Sequence, residues 1–124
     1  HIEAQCKRLR ILGFTGTPII RGNLNAMDKS LLPSLQTVCT EILNNIAKHG
    51  KPGAFAFILS VGPDAVRIFA SNLYNAAINS APENHYGTAL IQDFAQQHNG
   101  TMTINSENEE WSLSLAIPLT HQTH

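Results

Sequence analysis

The sequence predicts an α+β fold, a two-layer α/β sandwich with helices on one face of a mixed, mostly antiparallel sheet. Three observations predict it. A long helical segment carries an apolar seam, two pairs of apolar segments each return over a short polar turn, and a second helical segment separates the two pairs. We expect a single domain over residues 1–124, in which residues 1–12 are the end of a helix that begins upstream.

The long helix is predicted between Ser30, a candidate N-cap, and Gly50, which ends it. Pro33 suits its first turn, where no backbone N–H is needed. A second helix is predicted over residues 87–98. The apolar seam of the long helix has the spacing of a core-facing surface and consists of Leu35, Val38, Cys39, Ile42 and Ile46.

The remaining apolar segments predict strands, because β-branched and aromatic residues are bounded by turn residues. A long irregular stretch over 72–86 separates the two hairpins, and a loop of that length usually has a function. No G-x-G-x-x-G or P-loop motif is present, which argues against a doubly wound nucleotide fold. The predicted strands are a short edge strand within 17–24, a hairpin of 54–61 and 65–70, and a final hairpin of 101–105 and 111–119.

Composition excludes several functional classes. Hydrophobic residues make up 43% and charged residues 14%, which is typical of a globular domain and not of a disordered one. The net charge of -1 argues against a general nucleic-acid or membrane-surface binder. Cys6 and Cys39 are interpreted as reduced buried thiols, which weakly favours a cytosolic compartment. The six histidines show no zinc-ligand spacing with the cysteines.

Polar residues form a stripe along the long helix. At about 100° per residue, Glu41, Asn45 and Lys48 fall within about 60° of one another, and His49 lies beside them. The stripe runs alongside the apolar seam, so it lines the edge of the core, where a cleft could form. Amide and carboxylate oxygens can hold or orient hydrated Mg²⁺, and a lysine supplies a point charge for phosphates. From the residues alone, the alternative is the solvated face of an ordinary amphipathic helix.

The pattern Glu-x-x-x-Asn-x-x-Lys-His at residues 41–49 resembles the N-box of histidine-kinase catalytic domains, which belong to the GHKL (Bergerat) ATP-binding superfamily. It is closest to the sensor kinases whose N-box ends in Lys-His. Weaker resemblances follow in the family's order: 12–24 to the stretch before the N-box, 54–71 to the central strands, 87–90 to the second glycine box, 98–102 to the turn after it, and 117–119 to the final strand.

The resemblance implies a role for each matched position. Asn45 would be the Mg²⁺ ligand, and Glu41 would be the catalytic residue that orients or deprotonates the acceptor histidine or a water. Asn72 occupies the place of the family's aspartate, which accepts a hydrogen bond from the adenine amino group. The remaining ATP-binding positions would be Asn44, Lys48, His49, Gly87, Thr88, Ala89 and Leu90.

The sequence departs from the family at both glycine boxes. Asn72 replaces the aspartate of the first box, and Tyr74 and Ala76 replace its two glycines, so we expect weaker adenine binding. In the second box Ala89 replaces a glycine that lets the backbone approach phosphate. In the last hairpin, the family's Gly-Thr becomes Glu110-Trp111, which leaves Ser112 as the nearest hydroxyl.

The function implied by the resemblance is transfer of the ATP γ-phosphate to a histidine in two-component signalling, with ATP and Mg²⁺ as cofactors. The partners would be the protein's own dimerisation domain, which is not in this chain, and a response regulator bound by the full-length protein. We expect no nucleic-acid partner and no direct membrane contact by this domain, which would be the cytoplasmic part of a membrane-anchored bacterial sensor. The alternatives are a degenerate kinase-like module that acts through protein contacts, and another Bergerat-type ATPase such as an anti-sigma serine kinase.

Overall fold

The computed structural model describes residues 2–22, 29–74, 88–107 and 109–119, and for His49, Tyr74 and Thr88 it describes the backbone alone. The described residues form three helices and five strands, which confirms the predicted α+β class. The helices are α1 (Ile2–Ile11), α2 (Leu32–His49) and α3 (Thr88–Gln97). The strands are β1 (Pro18–Arg21), β2 (Gly50–Val61), β3 (Ala65–Tyr74), β4 (Thr101–Glu107) and β5 (Glu110–Pro118).

The five strands form one mixed sheet in the order β1-β2-β3-β5-β4. The short edge strand β1 pairs parallel with β2, while the other neighbouring pairs are antiparallel. Both predicted hairpins are therefore confirmed. The antiparallel pairing of β3 with β5 joins the two hairpins into a single sheet, and this contact between distant segments could not be read from either hairpin alone.

The core lies between the helices and one face of the sheet. Alternate residues of β2, β3 and β5 are buried, such as Phe57, Ile68 and Leu113. The helix α1 also belongs to this core, since Ile2, Cys6 and Leu9 on one of its faces are buried. Each fully buried apolar side chain contributes about 1.5–3 kcal/mol relative to an exposed one. The helices cover this face because their apolar seams have no other surface to pack against.

The ends of α2 differ in part from the prediction. The N-cap is Leu31 and not Ser30, and its side chain makes no capping hydrogen bond. The proline at the first turn is confirmed, and its fixed φ suits that position. At the other end, Gly50 leaves the helix with extended backbone (φ −77°, ψ 160°), and its N–H donates to the carbonyl of Ile46.

The strands of the first hairpin are longer than predicted. β2 begins at Gly50 instead of residue 54, and β3 continues to Tyr74 instead of ending at residue 70. Asn72, which was predicted to open the long loop, is therefore a strand residue paired with Phe55 and Trp111. Hydrogen bonding to two neighbouring strands outweighs the weak strand preference of asparagine. The rest of the predicted loop, from residue 75, lies outside the described residues.

Cys6 and Cys39 are both free and buried, which confirms the interpretation as core thiols. Burial raises the pKa of the Cys39 thiol to about 12. Burial also raises the pKa of Cys6, although the neighbouring Arg10 guanidinium partly opposes this effect. Both groups are thus held in the protonated, weakly nucleophilic form at neutral pH. None of the helices in the described ranges is long and apolar enough to cross a membrane.

Candidate functional site

The helix α2 is fixed against the sheet by its apolar seam, and this fixes the polar stripe beside it. Every member of the predicted seam is buried, so the helix cannot rotate about its axis without exposing apolar surface. Ser34 and Val38 lie on the same face of α2 as the stripe, about two turns and one turn before Glu41. The burial of the seam therefore decides which way the stripe residues face.

Asn45 is the most buried of the stripe residues whose side chains are described. It is 2% exposed, and its side-chain nitrogen is buried with no hydrogen-bond partner among the described residues. A buried amide group without a partner costs about 1–3 kcal/mol of stability. Because a 180° rotation of the amide exchanges its nitrogen and oxygen, the same buried position can present a donor or an acceptor. Such an orphaned group is a frequent mark of a binding site.

The neighbouring stripe residues are more accessible than Asn45. Glu41 is half-buried one turn before Asn45, and Lys48 is exposed about one turn after it. His49 is the last residue of α2, and only its backbone is described, so the predicted position of its side chain stays a prediction. The stripe thus places a buried amide between a half-buried carboxylate and an exposed ammonium group, along one face of one helix.

Asn44 lies on the other side of α2, toward α1. Its side-chain oxygen accepts a hydrogen bond of 3.1 Å from Nη1 of Arg8. The ATP contact predicted for Asn44 would have to compete with this bond. The ATP contact of Asn44 stays a prediction. The sequence offered no sign of the Arg8 contact because 36 residues separate the pair.

Asn72 is the second buried polar residue, at 2% exposed. It continues the inward-facing row of β3 and lies between two buried aromatic residues on neighbouring strands, Phe55 and Trp111. Its Nδ2 donates a hydrogen bond of 2.8 Å to the carbonyl of Leu73. Its Oδ1 is buried with no hydrogen-bond partner among the described residues. The bond to Leu73 fixes the amide, so the acceptor oxygen is the end left available.

Gly50 brings the end of α2 down onto Asn72. A Cβ atom at this position would lie against the Asn72 Nδ2 atom and 2.5 Å from the carbonyl oxygen of Ile46. Glycine is thus required here by the close approach of a neighbouring side chain and not by its φ of −77°. The sequence predicted that Gly50 ends the helix. It did not predict the packing role of Gly50, because the residue it packs against, Asn72, lies on another strand.

The segment resembling the second glycine box lies at the start of α3. Thr88 is the first helical residue, Ala89 and Leu90 are exposed, and Gly87 lies outside the described residues. A cavity of about 500 Å³ lies between α2 and α3 and is lined by Ser34, Thr37 and Val38 on α2 and by Leu90, Asp93, Phe94 and Gln97 on α3. Ser34 and Val38 share their helical face with Glu41 and Asn45, so α3 packs on the side of α2 that carries the stripe. None of the stripe residues lines this cavity itself.

Trp111 and Ser112 take opposite sides of the sheet. Trp111 is fully buried next to Asn72, whereas Ser112 alternates to the other face and pairs there with Ser71 and Asn105. Ser112 therefore does not lie on the buried side of the sheet with Asn72 and Trp111. The alternation of strand residues is the physical reason.

The described residues contain no group of three or more His, Cys, Asp or Glu residues that could hold a metal ion. A Mg²⁺ ion commonly takes one or two protein oxygens and completes its coordination with phosphate oxygens and water. The donor set around Asn45, with the half-buried Glu41 one turn away, is compatible with that mode of binding.

Comparison with known proteins gives structural matches alone. No protein-family model matches the chain, and no curated protein matches it. The fold is similar to that of the catalytic domain of histidine kinase ThkA in a nucleotide-free form, with a TM-score of 0.68 and 12% identity over 95% of this chain and 88% of that one. It is also similar to the Acinetobacter baumannii histidine kinase AdeS, with a TM-score of 0.71 and 11% identity over 97% of this chain and 61% of that one.

A third match is the blue-light-activated histidine kinase EL346 of Erythrobacter litoralis, with a TM-score of 0.69 and 12% identity over 96% of this chain and 41% of that one. The described fold therefore matches that of histidine-kinase catalytic domains. The chain spans about three fifths of AdeS and about two fifths of EL346, so it corresponds to a part of those longer chains.

Proposed function

We propose that this chain is the ATP-binding catalytic domain of a sensor histidine kinase, which transfers the γ-phosphate of ATP to a histidine on a separate dimerisation domain. The observation that carries the proposal is the pair of buried asparagines, Asn45 and Asn72, each with one amide atom that has no partner among the described residues. A bound nucleotide offers groups that would complete both hydrogen-bonding shells. The similarity of the fold to histidine-kinase catalytic domains supports this reading.

Asn72 would recognise the base. Its Oδ1 is a buried acceptor held in one orientation by the Nδ2 bond to Leu73, and the exocyclic amino group of adenine is a donor. A neutral amide forms a weaker hydrogen bond than the carboxylate it replaces, because charge-assisted bonds are about twice as strong. We therefore expect weaker adenine binding than an aspartate would give.

Asn45 would hold the Mg²⁺ ion that accompanies the triphosphate. Rotation of its amide brings the oxygen to the buried position that has no partner, and a hard cation prefers such an oxygen ligand. When bound, the ion would neutralise phosphate charge. Glu41, half-buried one turn away, would orient or deprotonate the acceptor histidine or a water, and it is the residue we propose as catalytic.

The phosphates would meet the rim of the stripe and the start of α3. Lys48 is exposed there and supplies a positive charge, and His49 would lie beside it. The first backbone N–H groups of α3, around Gly87, Thr88, Ala89 and Leu90, would point at phosphate oxygens as helix N-termini commonly do. Catalysis by such a site consists mainly of positioning and of stabilising charge on the transferred group.

The wider context follows from the same proposal. The acceptor histidine would lie on the protein's own dimerisation domain outside this chain, and a response regulator would receive the phosphoryl group through the full-length protein. The domain would work in the cytoplasm, as part of a membrane-anchored bacterial sensor. It would bind neither nucleic acid nor the membrane surface, given the net charge of -1.

A nucleotide titration tests the proposal. We expect the 124-residue chain to bind a fluorescent ATP analogue in the presence of Mg²⁺ at up to millimolar concentration. Asn45→Ala should abolish the Mg²⁺-dependent part of the affinity while leaving the fold intact by circular dichroism, because its amide nitrogen already lacks a partner. Asn105→Ala, an exposed asparagine on the other side of the sheet, is the matched control and should bind as the parent does.

Two results would contradict the proposal. Unchanged affinity in Asn45→Ala would reject the metal assignment. Absence of any Mg²⁺-ATP binding at millimolar nucleotide would reject the kinase reading and favour the alternative, a degenerate kinase-like module that acts through protein contacts. The replacement of a glycine by Ala89 at the start of α3 is the feature that favours this alternative.

A further inference from the structure

The sheet face that points away from the helices, here called the outer face, consists of the residues of β2, β3, β4 and β5 that alternate with the core positions. It contains a shallow cavity of about 430 Å³ lined by Ile58, Arg67, Phe69, Thr101, Thr103 and Ser114. No described helix covers this face, and the proposed nucleotide site lies on the opposite side of the sheet. The outer face therefore needs its own explanation.

An apolar row crosses three of the five strands of the outer face. Ile19 on β1, Ile58 on β2 and Phe69 on β3 are direct neighbours. Ile19 is 43% exposed and Phe69 is 39% exposed, although burying each would be favourable. Scattered apolar residues on a surface are ordinary, but a continuous row from an edge strand to the middle strand favours an interaction surface.

The two ends of the outer face carry opposite charges. Arg67 lies on β3 two residues before Phe69, and it is in register with Ser60 on β2 and Ala116 on β5. At the other end, Glu110 on β5 is in register with Leu73 on β3 and with Glu107 on β4. Arg67, Glu107 and Glu110 are all exposed. The six-residue separation from Arg67 to Leu73 along β3 corresponds to about 20 Å.

We propose that the outer face is a self-association surface, on which a second copy of this chain packs face to face about a twofold axis. The axis would lie in the plane between the two sheets and cross the strands midway between Arg67 and Leu73. This position falls between Phe69 and Ser71, so the apolar row lies next to the axis. The same rotation places Arg67 of each copy opposite Leu73 of the other, with Glu110 on the next strand and Glu107 on the strand after it.

Charge complementarity is what selects a second copy as the occupant. A twofold interface must be self-complementary, since any contact of one residue on the first copy with another on the second also occurs with the two copies exchanged. A face with an apolar row beside the axis, a positive end and a negative end meets that requirement. The sheets would then pack about 10 Å apart and nearly aligned, which is a common geometry for two packed sheets.

The expected affinity is modest. Five strands about 4.8 Å apart and roughly 25–30 Å long give a face of roughly 600–700 Å², somewhat below the ~800 Å² per partner of a standard interface. We therefore expect a dimer in the micromolar range that weakens as salt screens the end charges. Because the proposed nucleotide site lies on the helix side of the sheet, the dimer leaves both copies of it open.

Charge exchange tests the interface independently of any nucleotide. Sedimentation velocity of the 124-residue chain should show a concentration-dependent dimer between about 5 and 500 µM, and Arg67→Glu or Glu110→Arg should each raise the dimer Kd by at least about tenfold. Mixing the two single variants restores both opposite-charge contacts and should restore the dimer. The double variant, Arg67→Glu with Glu110→Arg, should dimerise within about threefold of the parent.

Arg21→Glu is the matched control, since Arg21 lies on the same face but on β1, away from the acidic residues of β4 and β5. It should change the dimer Kd by less than about threefold. A parent chain that stays monomeric at the highest concentration would overturn the proposal. So would single variants that fail to recover on mixing, or an Arg21→Glu variant as weak as Arg67→Glu, because either result would place a different register at the interface.

Discussion

Replacing Gly50 with alanine tests how the end of α2 is seated on Asn72. The backbone of Gly50 has φ −77°, which alanine adopts freely, so the substitution introduces no backbone strain. By reducing the freedom of the unfolded chain, it would on its own stabilise the protein by about 0.4–1 kcal/mol. Against this, the new Cβ would lie against Asn72 Nδ2 and 2.5 Å from the carbonyl oxygen of Ile46. Overpacking of this kind costs about 1–3 kcal/mol.

We therefore expect Gly50→Ala to lower the free energy of unfolding by about 1.3 kcal/mol, the difference between the middle values of the two effects, measured by urea denaturation. The matched control is Gly62→Ala, where the nearest atom to a Cβ is the Ala65 carbonyl oxygen at 3.4 Å. The effect on the unfolded chain acts there without a clash, so that variant should be as stable as the parent or more stable by up to about 1 kcal/mol. If Gly50→Ala is as stable as Gly62→Ala, the close packing of Asn72 under the helix is wrong. If the proposed function holds, Gly50→Ala should also weaken ATP binding, because Asn72 must move.

Two further predictions concern the buried groups. Asn72→Asp should tighten adenine-nucleotide binding while lowering the stability of the free protein by about 1–3 kcal/mol, since the carboxylate loses the donor to Leu73 and is buried; flat or weaker binding in a titration would remove Asn72 from the base pocket. Burial raises the pKa of Cys39 from 9.0 to about 12, so the unfolded chain loses this proton first as pH rises. Stability should therefore be unaffected by this group below pH 9 and fall by about 1.4 kcal/mol per pH unit between pH 9 and about pH 12. Urea denaturation at several alkaline pH values should show a shallower slope for Cys39→Ala, and an identical slope would contradict the assignment.

Helix α2 was the most predictable element, because its information is local. Its apolar residues recur with the 3.6-residue period, so the seam was correctly predicted to be buried, and Gly50 was correctly predicted to end the helix. The N-cap was misplaced by one residue because Leu31 takes helical backbone angles without any capping side chain. Helix boundaries depend on such details more than helix existence does.

The strand ends and the burial of Asn72 were less predictable, because they depend on contacts between distant segments. Asn72 looks like a loop residue in sequence, yet pairing with Phe55 and Trp111 makes it a buried strand residue. The contact of Asn44 with Arg8 and the fit of Gly50 over Asn72 likewise join segments far apart in the chain. The residues of one segment do not indicate which distant segments it will contact.

The sequence by itself determined the α+β class, the order of helices and hairpins, and the stripe of Glu41, Asn45 and Lys48 beside an apolar seam. These follow from periodicity, which each segment expresses on its own. The tertiary structure alone decided that Asn45 and Asn72 are buried with unpartnered amide atoms, and that Arg67 and Glu110 lie at opposite ends of one sheet face. Burial and register depend on which strands become neighbours, and that choice is made by the packing of the whole chain.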